Sequence, residues 1–304
     1  MLASMKELVN KAKSLESKTL VVAVANDHHV LEAVERARQE EIINGVLVGD
    51  EFLIKEALDD LGYDANNYEI IHEIDNVMAC EKAVKRVSEN DNHFLMKGFV
   101  DTAIILRAAL DKDFGLRTKN RLSHVSVMEI PTYHKLLMMS DGAMNIDPNV
   151  DIKQEIIENG IVIANAIGLD NPSIGCIAAI EKVNPKMQAT LDAETLIKRN
   201  QKGDLKGCTV GGPFALDNAI NKEAADHKNI TDKMAGDVDF LLMPQIESGN
   251  VFYKSMMFLA GAKSASVIAG AQKPIVLTSR ADSTDSKFYS IALSALVADL
   301  NKKI

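Results

Sequence analysis

Near the end of the chain, Thr278-Ser279-Arg280 follows the apolar run Pro274-Ile275-Val276-Leu277 and precedes Asp282, Ser283, Asp285 and Ser286. A strand that ends in a polar turn and opens a helix exposes backbone N–H groups and the positive end of a helix dipole. Both favour a phosphate or a carboxylate. Arg280 adds planar, bidentate donors. Asp282 and Asp285 do not fit that picture, because a carboxylate repels a phosphate. One reading is a plain helix cap, with Ser283 or Asp282 as the capping residue and Arg280 paired to a surface aspartate. The other has an anion held by Ser279 and Arg280 while an aspartate serves as base for a different group. Two further junctions repeat the design. In "PQIESGNVFYK" (Pro244 to Lys254), Ser248-Gly249-Asn250 reads as a turn or cap, with Lys254 one turn into the next helix. Asn250, Tyr253 and Lys254 are candidates for a crevice at strand ends, where open α/β sheets bind ligands. In "MKGFVDTAIILR" (Met96 to Arg107), Lys97-Gly98 ends a strand and Asp101-Thr102 opens a helix. Lys97 and Thr102 are candidate phosphate ligands, and Arg107 lies farther along. Each of these cations alone reads as a solvated charge; three similar junctions from separated parts of the chain carry more weight.

The elements that must position these residues alternate. "TLVVAVAN", "GVLVGD", "YEIIHEI" and "HFLMKG" read as strands, with amphipathic helical spacing between them. Near-continuous apolar strands separated by helices argue for a parallel sheet covered on both faces. The rhythm breaks at "LSHVSVMEI" and "KLLMMSD", where two strands are separated only by Pro131-Thr132-Tyr133 and His134. This spacing predicts a hairpin and a domain boundary. A second α/β series follows, then "SASVIAG", "PIVLT" and a last helix.

The chain has 304 residues, enough for two domains or one large α/β unit, with 47% hydrophobic and 25% charged residues. A net charge of −9, no tryptophan and 5% aromatics argue against nucleic acid as a partner. No apolar stretch is long enough to span a membrane, and the N-terminus does not read as a secretory signal, so a cytoplasmic location is expected. Cys80, Cys176 and Cys208 are odd in number and form no CxxC, which suits buried thiols in a reduced compartment. The histidines, His28, His29, His72, His93, His124, His134 and His227, form no HxxxH pair, so no metal site is expected. There is no GxGxxG, no GxxxxGK and no GxSxG.

Four blocks in order carry a resemblance: "MSDGAMNIDP" (Met139 to Pro148), "GGPFALDNA" (Gly211 to Ala219), "MPQIESGNVFYK" (Met243 to Lys254) and "GAQKPIVLTSR" (Gly270 to Arg280). Together they resemble the phosphate acyltransferases, the phosphate acetyl- and butyryltransferase family. "LMKG", "SHVSVMEIP", "NPKMQATLDA" and "TSRADS" are similar to the butyryl branch. The resemblance implies a fold like that of the isocitrate and isopropylmalate dehydrogenases: two α/β/α domains with a cleft between them. Residues 1–126 with 266–304 would form the first domain and 127–265 an inserted second one. A homodimer is also implied.

The implied reaction is acyl-CoA + phosphate ⇌ acyl phosphate + CoA, by direct thiol attack in a ternary complex. No metal or bound cofactor is implied beyond coenzyme A as substrate. Ser279 and Arg280 would hold the phosphate. In the acetyltransferases the base stands seven residues after the matched serine. That position is Ser286 here, so the resemblance implies Asp285, one place earlier, with Asp282 as the alternative. Lys97, Gly98 and Thr102 would bind substrate, with Arg107 at coenzyme A, and Gly249, Asn250, Tyr253 and Lys254 would line the site. Acetyl specificity, a non-catalytic protein binding CoA or acyl phosphate on the same fold, and a nicotinamide-dependent dehydrogenase are the rival readings.

Overall fold

The computed structural model describes residues 2–279 and 282–301. In chain order the elements begin with α1 (Met5–Lys13), β1 (Lys18–Ala23), α2 (His28–Gln39), β2 (Ile43–Gly49) and α3 (Glu51–Asp60). Next come β3 (Glu69–His72), α4 (Asn76–Ser88), β4 (His93–Lys97) and α5 (Thr102–Ala109). The middle of the chain carries β5 (Ser123–Glu129), β6 (Leu137–Ser140), α6 (Val150–Ala166), β7 (Ser173–Ile177), α7 (Gln188–Lys202) and β8 (Thr209–Phe214). Then follow α8 (Leu216–Ile220), α9 (Lys222–His227), β9 (Phe240–Leu242), α10 (Ile246–Phe258), β10 (Lys263–Ala269), β11 (Ile275–Val276) and α11 (Thr284–Asn301). Two compact units result: Met5–Asn120 with Ser264–Ile304, and Met1–Ser4 with Arg121–Lys263.

In the first unit the strand order is β3-β2-β1-β4-β11-β10. All neighbours are parallel except β10 and β11. The chain moves from β1 through β2 to β3 and then returns to β4 on the other side of β1. Right-handed crossovers therefore put α2 and α3 on one face and α4 on the other. The reversal makes the carboxyl ends of β1 and β4 a topological switch point, the place where such sheets bind ligands. The strands are apolar because both faces are covered: Leu20, Val21, Val22, Phe94, Leu95 and Met96 are fully buried. The last helix, α11, packs against α1 and α2. Phe288, Ile291, Ala292, Leu293 and Ala295 are buried on successive faces, so it is a core helix rather than an amphipathic one.

The second unit has the order β5-β6-β9-β7-β8. The hairpin expected around Pro131-Thr132-Tyr133 is present, with β5 and β6 antiparallel. β6, β9, β7 and β8 are parallel. The crossovers through α6 and α7 run in one direction across the sheet and the return through α8 and α9 runs in the other, so this sheet is also doubly wound. Among the described residues, no helix is long and apolar enough to cross a membrane.

Candidate active site

In the first unit, Ile275 pairs with Leu95 and Val276 with Met96, so β11 and β4 end side by side. Ala23 pairs with Lys97, which brings the end of β1 to the same edge. Three chain segments distant in sequence therefore leave the sheet together: Val24 to Asp27, Lys97 to Asp101, and Leu277 to Ser279. Gly98 sits where only a glycine fits, since its N–H donates to Ala23 O at 2.9 Å and a β-carbon would overlap the Val24 carbonyl oxygen. Lys97 is 7% exposed, and its ammonium donates to the carbonyls of Gly98 at 3.2 Å and Val100 at 3.1 Å. It holds its own loop in shape. Thr102 is exposed at the start of α5, and Arg107 is exposed in the last turn of that helix. Five residues of helix carry Arg107 roughly 7.5 Å along the axis from Thr102.

The turn after β11 is tied to itself. The Ser279 N–H donates to Asp282 Oδ2 at 2.7 Å, and the Asp282 N–H donates back to Ser279 O at 3.1 Å. Ser283, not Asp282, caps α11: its hydroxyl accepts the Ser286 N–H at 3.1 Å. Asp285, in the first turn of α11, is ion-paired to Arg36 of α2 at 2.6 Å and remains 65% exposed. Arg36 also stacks over the Phe288 ring at 3.8 Å. Thr284 donates to Glu32, again on α2, at 2.9 Å. Arg280, the bidentate phosphate ligand expected from the sequence, lies outside the described residues.

Sequence reasoning passed over Lys287 at this corner. It is 3% exposed, and its ammonium donates to the Asp282 carbonyl at 2.5 Å and reaches the Ser279 carbonyl at 3.5 Å. Burial pulls its pKa below the usual lysine range, partly offset by the charges of Asp282, Asp27 and Glu32. A signal existed: a lysine in the first turn of a helix opposes the dipole there. Asn26, three residues after β1, was also passed over; its Oδ1 is buried without a hydrogen-bond partner.

The second unit holds the remaining candidates. Ser140 pairs with Leu242, so the chain leaves β6 and β9 side by side before α10 begins. The sequence reading of Ser248-Gly249-Asn250 as a turn needs correction. The helix starts at Ile246, and all three lie within its opening turns. Gly249 is there for packing, because a β-carbon would overlap the Asp141 carbonyl oxygen, and Asn250 Nδ2 donates to Gly142 O at 3.1 Å. Asp141 is the knot of this region. Its buried carboxylate accepts from the N–H groups of His124, Ala143 and Met144 and from the Asn145 amide. Tyr253 meets the His124 ring edge-on at 6.0 Å, and Lys254 is exposed.

Beside these residues a pocket of about 490 Å³ opens at the carboxyl ends of β7 and β9, among the N-termini of α6, α7 and α10. Its lining includes Lys153 and Asp192, an ion pair 2.5 Å apart with both side chains 6% exposed; Gln188 donates to the same carboxylate. Ser279, Asp282, Asp285, Lys97, Gly98, Thr102 and Arg107 thus belong to one unit, and Gly249, Asn250, Tyr253 and Lys254 to the other. Among the described residues, no group of three or more His, Cys, Asp or Glu could hold a metal ion.

Comparison with known proteins bears on these same segments. The phosphate acetyl/butaryl transferase family model matches residues 4–79 and 67–295. A phosphate butyryltransferase from Clostridium acetobutylicum is 45% identical over 298 residues, covering 98% of this chain and 99% of that protein. A phosphate acetyltransferase from Thermotoga maritima is 46% identical over 294 residues, covering 97% and 99%. The crystal structure of a branched-chain phosphotransacylase from Enterococcus faecalis V583 superposes with a TM-score of 0.82 at 32% identity, covering 92% of this chain and 99% of that one. The fold alone is also shared with a putative 4-hydroxythreonine-4-phosphate dehydrogenase from Salmonella typhimurium, at a TM-score of 0.53 and 12% identity over 93% and 100% of the two chains. The architecture is thus α/β and dehydrogenase-like. The chain belongs to the phosphate acetyl/butaryl transferase family.

Proposed function

We propose that this protein is a phosphate acyltransferase that interconverts acyl-CoA and phosphate with acyl phosphate and CoA, acting on butyryl or branched short-chain acyl groups. The observation that carries this reading is the self-tied Ser279–Asp282 turn beside the Lys97-Gly98 loop, at the carboxyl edge of a doubly wound sheet in a chain of this family.

Ser279 and Arg280 hold the phosphoryl oxygens. Their interactions with charge that grows in the transition state count most, since only those raise the rate. In the direction of acyl-CoA synthesis, an aspartate takes the thiol proton of CoA and the sulfur attacks the acyl carbonyl. The tetrahedral centre then collapses and expels phosphate. An ordinary thiol, with a pKa of about 8.5, needs such a base at neutral pH. Each aspartate has one oxygen engaged, Asp285 by Arg36 and Asp282 by the Ser279 N–H, but the Asp285 side chain remains 65% exposed. Asp285 is therefore the first choice as base, and Asp282 the alternative. Lys97 and Gly98 shape the neighbouring loop, and Thr102 binds substrate from the start of α5. Arg107, Gly249, Asn250, Tyr253 and Lys254 serve coenzyme A and acyl phosphate.

Direct transfer without an acyl-enzyme is supported by the cysteines. Burial pushes the Cys176 thiol up to about 12 and those of Cys80 and Cys208 up to about 11. Protonated, buried thiols are poor nucleophiles. The protein works as a homodimer; exposed Val251 and Phe258 on α10, with Leu259 just after it, support an apolar contact, and a single-chain mass in light scattering would remove it.

The test is thiol release from butyryl-CoA with phosphate. Arg280→Ala is expected to lose most of this activity while staying folded, at least about a hundredfold in kcat/KM. Wild-type turnover in the variant would take the arginine out of the mechanism. Tight CoA binding by wild-type protein that forms no acyl phosphate would favour a non-catalytic binding protein instead.

A further inference from the structure

Lys287 is a residue that ordinary stability arguments disfavour. It is a cation in the first turn of a helix, where the dipole repels it. It is 3% exposed, so its charge is removed from water. Its ammonium is directed back five residues onto the turn. There it donates to the Asp282 carbonyl at 2.5 Å and reaches the Ser279 carbonyl at 3.5 Å. Those two residues are the ones that close the turn on each other, Ser279 N–H to the Asp282 carboxylate and Asp282 N–H to the Ser279 carbonyl. The nearby carboxylates are Asp282 itself, Asp27 at the N-cap of α2, and Glu32 on α2. All three act on the Lys287 ammonium, and Asp282 also accepts from the Ser279 N–H.

We propose that Lys287 is a positioning residue for the phosphate-binding turn: its ammonium clamps the Ser279 and Asp282 carbonyls and so holds Ser279 where the phosphoryl group is bound. It acts through the turn and touches no substrate. The inference rests on the reading of Ser279 as a phosphate ligand. It predicts a rate effect without a matching loss of CoA affinity. A methionine would fill the same space without the clamp. An arginine would keep the charge, but its planar fork cannot set its donors where the ammonium sets them.

The experiment measures kcat, KM for butyryl-CoA and thermal midpoint for wild type, Lys287→Met, Lys287→Arg, Ser279→Ala and the Ser279→Ala/Lys287→Met double variant. Lys287→Met is expected to lower kcat at least about tenfold with KM for butyryl-CoA changed by less than about twofold. In the Ser279→Ala background the same step is expected to cost less than about threefold, because both changes disable one unit. A folded Lys287→Met enzyme with kcat within about twofold of wild type overturns the proposal, and so does an undiminished loss in the Ser279→Ala background. If the methionine variant does not fold, Lys287→Arg decides: a fall in kcat of about fivefold or more supports the clamp, and wild-type kcat overturns it. A wild-type enzyme with no phosphate-dependent thiol release is a different failure, since it removes the acyltransferase reading and this inference with it.

Discussion

Asp282 and Asp285 stand three residues apart and have different surroundings. The Asp282 carboxylate is turned inward onto the Ser279 N–H, and the Asp285 carboxylate outward onto Arg36. An exposed ion pair of this kind contributes little stability, about 0–1 kcal/mol, so Asp285→Asn is expected to fold normally. If Asp285 is the base, that variant loses about 10²–10⁴-fold in kcat, the range for a general base. Asp282→Asn keeps an acceptor for the Ser279 N–H, and its loss is expected to be within about tenfold. Steady-state kinetics of both variants decide between them. Full activity in both would mean that neither aspartate is the base, and the larger loss in Asp282→Asn would exchange their roles. Ser279, Asp282 and Asp285 were legible as a group because an arginine, serines and aspartates crowd one turn. Lys287 was marked only by its unfavourable place in the first turn of a helix; which carbonyls it reaches depends on the path of the chain between them.

At the scale of elements, the site is made by strand ends and helix starts. Lys153 and Asp192 illustrate the energetics: one on α6, one on α7, they meet as a buried pair in the wall of the pocket of the second unit. Removing one partner leaves an uncompensated charge, so Lys153→Met is expected to destabilise the protein by about 3–5 kcal/mol in urea unfolding. Replacing both, as Lys153→Met with Asp192→Leu, is expected to recover most of that loss. Equal instability in the single and double variants would contradict this account. The alternation of strands and helices was readable from apolar runs and spacing, and so was the β5–β6 hairpin around Pro131-Thr132-Tyr133. The start of α10 was not. Ser248-Gly249-Asn250 has turn composition, but Gly249 is required by a backbone from β6 that passes against it. Local composition cannot register a neighbour about a hundred residues away.

At the scale of the whole molecule, the open question of chemistry is the acyl chain. Relatives named as butyryl- and acetyltransferases stand at 45% and 46% identity, so overall similarity does not separate the two substrates. Each methylene accommodated in an apolar pocket changes kcat/KM by about 10–200-fold. Thiol release measured with phosphate across acetyl-, propionyl-, butyryl- and isobutyryl-CoA is expected to favour butyryl or isobutyryl over acetyl by at least about tenfold. Acetyl-CoA as the fastest substrate would reassign the specificity while keeping the reaction class. A net charge of −9 gives no general attraction for phosphorylated substrates, so their binding depends on local cations.

Read alone, the chain already specified its element types, its parallel strand runs and its family, because periodicity and ordered motifs are local properties that survive without coordinates. Pairing was a different matter. Parallel registry of β11 with β4 and of β4 with β1 brings residues near positions 24, 97 and 279 to one sheet edge. The same folding buries Lys287 against the turn and turns two neighbouring aspartates to different partners. These are consequences of long-range hydrogen-bond registry and close packing, which no stretch of sequence contains by itself.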